Sequence, residues 1–243
     1  MTAARSRRTA PAPPHAVPGP RAVAEALAAQ RPLSAVLLAR PDHALGERAA
    51  AAGIPVRHAS ATELDAAAHG VHHQGIVALA PPYAYRALED LRGDLLVALD
   101  GITDPQNLGA IARSAEAAGA GGLILPRRRS VQVTPAVEKA SAGAVSWLDI
   151  AVVPNLVRAL ADLAEAGLWS VGLDGDAPED VWACGLLDGP VVVVVGAEGA
   201  GLARLTAERC DATVSIPMAG RLASLNASAA AAVVLFEVRR RRG

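Results

Sequence analysis

The chain has 243 residues, 52% of them apolar and 2% aromatic, with a formal net charge of −1. That length allows one large or two small domains with real cores, while no apolar run reaches the ~18–20 residues of a membrane span. Near-neutral charge argues against a globally basic nucleic-acid binder, scarce aromatics argue against a sheet that stacks bases, and two cysteines without metal-type spacing, Cys184 and Cys210, argue against a disulfide framework.

The first residues, "MTAARSRRTAPAPPHAVPGP", carry arginines but no apolar core segment, so no secretory signal is expected; the two cysteines without metal-type spacing read as a reducing, cytoplasmic setting. Residues 1–18 read as a Pro-, Ala- and Arg-rich flexible arm. Alternating elements follow: a helix near 20–30, the strand "LSAVLLA", a helix near 42–52 and a strand from "IPVRHA". Ser60 with Glu63 is a capping-box signature for a third helix, and "GIVALA" closes the unit as a strand. We place this first unit at 19–82 and a linker at 83–93, where prolines, tyrosines and mixed charge gather.

The second unit, 94–243, repeats the alternation with sharper punctuation. After the strand "LLVALD", Asp104-Pro105 opens a helix with an N-cap and a first-turn proline, and Gly119 ends it. "GLILP" is a strand, Thr134-Pro135 repeats the cap-plus-proline device, "WLDIAVV" leads into a helix from Asn155 to Gly167, and "LWSVGLD" follows. "VVVVV" at 191–195 is a continuous apolar run, as expected of a strand covered on both faces. "ATVSIP" and an Ala/Val helix complete the unit. The predicted fold class is α/β with a mostly parallel sheet.

Three stretches carry chemistry. In "DPQNLGAIARSAEAAG", Asn107 stands in the first turn of a helix at a strand's carboxyl end, where free N–H groups favour anions. Arg113 lies about 120° further round that helix, so the two residues have different tasks. In "VVVVVGAEGAGL", Gly196, Gly199 and Gly201 follow a strand, but G-x-x-G-x-G is not the dinucleotide fingerprint. Glu198 in their midst needs a partner, and Arg113 is one candidate. In "SIPMAGRLASLNASAA", Ser224 or Asn226 caps the last helix. Solvated turns and plain capping remain the alternatives for each stretch taken singly.

Together, "NLGAIAR", "VVVVVGAEGAGL" and "SIPMAGRLASLNASAA" resemble the three signature motifs of the SpoU branch of the SPOUT methyltransferases. "GPRAVAEAL" and "HHQGIVALAPPYAY" resemble the amino-terminal domain of the bacterial 23S rRNA guanosine-2′-O-methyltransferases. The resemblance implies a ribosomal-protein-like RNA-binding domain, a deep trefoil knot in the second unit, a homodimer, and S-adenosylmethionine as cofactor. It implies methylation of a ribose 2′-hydroxyl in 23S rRNA, with tRNA, an antibiotic-resistance nucleotide of rRNA, or a non-catalytic assembly role as alternatives. By matching motif positions it assigns functional polar roles to Asn107, Arg113, Glu198, Ser224 and Asn226. It places Gly196, Ile216 and Leu225 at the cofactor, with Gly199 and Met218 in the same loops.

For RNA, Arg127, Arg128 and Arg129 just beyond a strand end form a plausible backbone clamp. Arg5, Arg7 and Arg8, and the run at 239–242, read either as basic arms or as solvated tails. The histidines of "HGVHHQG" lack neighbouring ligands, so no metal is expected there.

Overall fold

The computed structural model describes residues 14–40, 44–222 and 224–243. The arginines at 5, 7 and 8 therefore lie outside the described residues. The described chain builds two sheets, one of four strands and one of seven.

The smaller sheet holds β1 (His15–Pro18), β2 (Ala35–Leu38), β3 (Val56–His58) and β4 (Ile76–Ala80) in the order β1-β4-β2-β3. Helices α1 (Pro20–Ala28) and α2 (Ala44–Ala51) cover one face, where Val36, Leu38, Ile76 and Ala78 point. Helix α3 (Ala61–Ala67) covers the other, over Leu37 and Val77, as the two-residue side-chain period requires. Ser60 and Glu63 form the capping box expected of them.

One expectation is corrected. Residues 1–18 are not one flexible arm, because His15–Pro18 is a strand antiparallel to β4, with Ala16 and Val17 fully buried. The tyrosines at 83 and 85 also pin the linker. The Tyr83 hydroxyl donates to the carbonyls of Val145 and Leu148 at 3.0 and 3.2 Å, and the Val133 N–H donates to the Tyr85 hydroxyl at 2.9 Å.

The larger sheet comprises β5 (Leu95–Asp100), β6 (Gly122–Pro126), β7 (Asp149–Val153), β8 (Trp169–Leu173), β9 (Glu179–Asp180), β10 (Val191–Gly196) and β11 (Ala212–Ser215). Its order is β7-β6-β5-β10-β8-β11-β9, and each pairing is parallel. Val191, Val193 and Val195 face one core while Val192 and Val194 face the other, so the valine run is buried on both sides. Helices α4 (Pro105–Ala117), α5 (Pro135–Ala140) and α8 (Ala227–Arg242) lie on the first face, and α6 (Leu156–Glu165) and α7 (Arg204–Arg209) on the second. Asp104, Thr134, Asn155 and Asn226 each cap their helix through a side-chain oxygen. The strand sequence runs outward from β5 to β7 and then resumes on the far side of β10. The carboxyl ends of β5 and β10 therefore flank a topological switch point, where open α/β sheets bind ligands.

Candidate functional site

At that switch point Gly196 is registered against Asp100. The loop after β10 folds back tightly: Ala197 and Gly201 exchange backbone hydrogen bonds at 2.9 and 2.8 Å. A Cβ on Gly196 would stand 2.2 Å from the Gly201 carbonyl carbon, so only glycine fits there. The Asp100 carboxylate accepts from the Ala203 N–H at 2.8 Å and ties the loop's far end to β5.

The loops after β8, β10 and β11 enclose a cleft of about 330 Å³. Gly196, Glu198, Gly199, Ile216, Met218, Ser224 and Leu225 all line it. Asp174 and Asp176 line it too, from the loop after β8. Sequence reading missed these two, although a Gly-Asp pattern just past a strand end was the available signal. The cleft thus carries three carboxylates and no basic side chain among its described lining residues.

Beside the cleft, three side chains meet. The Asn107 amide, nearly buried, donates to Glu198 at 3.2 Å, and the Asn226 amide donates to Asn107 Oδ1 at 3.0 Å and to Glu198 at 3.3 Å. Asn226 Oδ1 in turn accepts from the backbone N–H and hydroxyl of Ser228 at 2.9 and 2.6 Å, capping α8. One triangle therefore joins the start of α4, the β10 loop and the start of α8.

The candidate pairing of Arg113 with Glu198 is not formed in this arrangement. Both amide groups reach Glu198 first, and Arg113 is exposed on α4 without an ion pair among the described residues. Arg127, Arg128 and Arg129 are exposed just past β6, again without ion pairs among the described residues. The run at 239–242 divides differently: Arg241 and Arg242 fold back onto loop carbonyls.

Burial pushes the Cys210 thiol up to about 12, with Asp211 and Asp100 adding to the effect, so it stays a neutral thiol at pH 7. His73 is held inside its loop: it lies 3.0 Å from Asp65 and accepts from the Gly75 N–H at 3.1 Å. Among the described residues no group of three His, Cys, Asp or Glu side chains is placed to hold a metal ion, and no helix is long and apolar enough to cross a membrane.

The SpoU rRNA Methylase family matches residues 94–236. The chain belongs to that family. A second match, described as RNA 2′-O ribose methyltransferase substrate binding, covers residues 16–86. Among relatives, a protein of Mycobacterium ulcerans (strain Agy99) named as an uncharacterised tRNA/rRNA methyltransferase is 46% identical over 241 residues, covering 92% of this chain and 76% of its own. Among solved structures, the SpoU methyltransferase AviRb from Streptomyces viridochromogenes, in complex with AdoMet, superposes with a TM-score of 0.79 at 28% identity, covering 94% of this chain and 90% of its own. An AdoMet-bound rRNA methyltransferase from Sinorhizobium meliloti gives a TM-score of 0.77 at 28% identity, covering 93% and 87%. As a SpoU-family protein this chain is an RNA methyltransferase, and its α/β fold with a parallel sheet is the one those structures share.

Proposed function

We propose that this SpoU methyltransferase transfers a methyl group from S-adenosylmethionine to the ribose 2′-hydroxyl of a guanosine in 23S rRNA. The observation that carries the reading is the juxtaposition of a closed carboxylate–amide triangle with a cleft at the switch point. The cleft fits the cofactor: its volume falls within the ~300–1,000 Å³ of small-molecule sites. Its three carboxylates with no basic side chain suit a ligand bearing sulfonium and ammonium charges. In this reading Gly196, Gly199, Ile216, Met218 and Leu225 hold the cofactor, through loop backbone and apolar side chains. The bound cofactor supplies an electrophilic methyl group.

The chain's own residues supply alignment. Asn107, Glu198 and Asn226 hold the loop walls in register through their mutual bonds, and Ser224 presents a hydroxyl to the cleft. Arg113 binds an RNA phosphate by its planar fork, orients the attacking hydroxyl and stabilises the charge that develops on its oxygen. Arginine does not act as the base, because its guanidinium stays protonated in proteins. The hydroxyl proton leaves to that phosphate or to water. Arg127, Arg128 and Arg129 clamp further phosphates, and the four-stranded unit, which begins at β1, binds the RNA as a domain of its own.

The reading includes the trefoil knot among the loops after β10 and β11, a cytoplasmic setting and a homodimer. The dimer has support on α8, where Ala229, Ala232, Val233 and Phe236 form one exposed or half-exposed apolar stripe at helical spacing. Light scattering at micromolar concentration is expected to give a dimer mass. A monomer there would remove that part.

The decisive assay offers radiolabelled S-adenosylmethionine with deproteinised 23S rRNA and, separately, bulk tRNA. Label in rRNA, mapped to a ribose 2′-oxygen of a guanosine, is the expected result. Label confined to tRNA, a substrate that the M. ulcerans relative's name also admits, would overturn the substrate assignment. Label in neither would favour a non-catalytic RNA-binding role. Arg113→Lys is expected to lose most turnover, since lysine cannot reproduce bidentate binding.

A further inference from the structure

We infer that Glu138 is a positioning residue: it docks the four-stranded unit onto α5 and so fixes bound RNA over the Arg113 helix. The inference rests on the proposed RNA-methylating reading for its catalytic consequence, but not for its geometry.

Glu138 is fully buried, and one of its oxygens, Oε1, takes two partners from the other unit. His15 Nε2 lies 2.7 Å away, from β1, and Arg31 Nη1 lies 2.6 Å away, just past α1. The Arg31 guanidinium also sits 5.1 Å from the centroid of the Tyr83 ring, within cation–π range. Burial pushes the Tyr83 hydroxyl well above the usual tyrosine range, so the ring stays neutral beneath that charge. The remaining oxygen of Glu138 and the Nη2 of Arg31 are buried with no partner among the described residues. Charges buried this way add little net adhesion, because desolvation offsets most of their attraction. What they do supply is register, since any shift of one unit leaves a buried charge unpaired.

The neighbouring residue acts on the same surface. Lys139, the only lysine in the sequence, donates to Gln74 Oε1 at 3.0 Å, and Gln74 adopts a left-handed φ of 53°. Further along, Trp147 donates to Glu25 at 2.9 Å. Gly143 meets α1 so closely that a Cβ would lie 2.6 Å from that of Glu25.

The dock then runs into the candidate site. Gly109 of α4 packs on the end of α5, where a Cβ would stand 2.4 Å from the Ala140 methyl and 2.7 Å from the Ser141 nitrogen. Arg113 follows Gly109 by one helical turn, so it lies on the α5 side of α4. A chain of direct contacts thus leads from β1 and Arg31, through Glu138 and α5, to the helix that carries Arg113.

The test uses the full chain carrying Glu138→Gln, which keeps the side chain's shape and removes its charge, and a separate Lys139→Ala variant. Calorimetry measures S-adenosylmethionine affinity, single-turnover transfer is followed on deproteinised 23S rRNA, and hydrogen exchange is read across β1, α5 and the cleft loops. In Glu138→Gln the cofactor affinity is expected to stay unchanged while the transfer rate at saturating RNA falls about tenfold, the cost of a small misplacement of the reacting group. Exchange is expected to rise in β1 and α5 but not in the cleft loops. Lys139→Ala is expected to move the same observables in the same direction, by less. An unchanged transfer rate would overturn the inference, and so would loss of cofactor affinity in step with rate. If the unmodified protein labels no rRNA, the functional reading fails on its own. The exchange pattern then decides the dock separately: faster exchange confined to β1 and α5 upholds it, and unchanged or uniformly faster exchange overturns it.

Discussion

Two runs of arginine, nearly identical as sequence, have opposite environments in this molecule. Arg127, Arg128 and Arg129 follow β6 and are exposed, and the run is anchored at its start by the backbone, with the Arg127 N–H donating to the Val153 carbonyl at 2.8 Å. Arg241, near the end of α8, keeps only 11% of its side chain exposed. Its guanidinium donates to Glu237 at 2.7 Å, to the carbonyls of Cys184 and Trp182 at 2.8 and 2.7 Å, and to Asp188 and the Val181 carbonyl at 3.2 Å. Arg242 beside it pairs with Asp94 at 3.0 Å and donates to the Gly189 carbonyl. The difference lies in what each run can reach. The three arginines past β6 make no ion pair among the described residues, whereas the last turn of α8 lies against segment 181–189, whose carbonyls accept from Arg241 and Arg242. A charge run is therefore a tail, a clamp or a staple according to its neighbours.

The largest break in that comparison is Arg241→Ala. It strips donors from three carbonyls and leaves buried Glu237 with one arginine partner, so we expect a loss of about 3–5 kcal/mol, the usual cost of breaking a buried ionic network. Urea denaturation measures it, and RNA affinity per folded molecule is expected to hold. Replacing Arg127, Arg128 and Arg129 together with alanine should do the reverse. Stability stays within about 0.5 kcal/mol, as for surface substitutions generally. RNA binding weakens, and the slope of log affinity against log salt falls by about 2–3, one counterion for each lost phosphate contact. An unchanged slope would remove these residues from the RNA interface.

The pH dependence sharpens the contrast. Hydrogen bonds from Arg240 and Arg241 hold the Glu237 carboxyl at about 2, below its ordinary 4.5. A depressed folded-state value means the carboxylate stabilises the fold fully above pH 4.5 and progressively less as pH falls towards 2. Urea midpoints measured at pH 5 and pH 3 should therefore drop more steeply in the unmodified chain than in Glu237→Gln.

What was legible in the sequence was local. Caps at Ser60, Asp104 and Thr134 depend on residues two or three positions away, and each is present; of the two candidates at the last helix, Asn226 is the cap. The valine strand showed its two-sided burial in its composition alone. Strand β1 was missed because its partner β4 lies about sixty residues on, and "HAVP" extends a run rich in proline and alanine. Glu198 needed a partner, as its place among glycines implied. Which partner was a tertiary fact, and Asn107 and Asn226 arrive from 91 and 28 residues away. Glu138 gave no sign at all: it sits in an ordinary first turn, and its His15 contact spans 123 residues.

The smallest expected effect is the most exacting check on the comparison. Arg240 makes two hydrogen bonds to Glu237, at 2.7 and 2.8 Å, against one from Arg241, so bonds to Glu237 alone would give it at least equal weight. Its side chain is 71% exposed, however, while that of Arg241 is 11% exposed. Water replaces a lost partner at an exposed site, and ordering a long surface side chain costs entropy, so such pairs contribute little. Arg240→Ala should therefore move the urea midpoint far less than Arg241→Ala, and its effect should fade in high salt, while that of Arg241→Ala persists. Equal losses from the two variants would mean that bonds to Glu237 alone set the stability of this helix end. The carbonyl contacts of Arg241 to the 181–189 segment would then carry none of it.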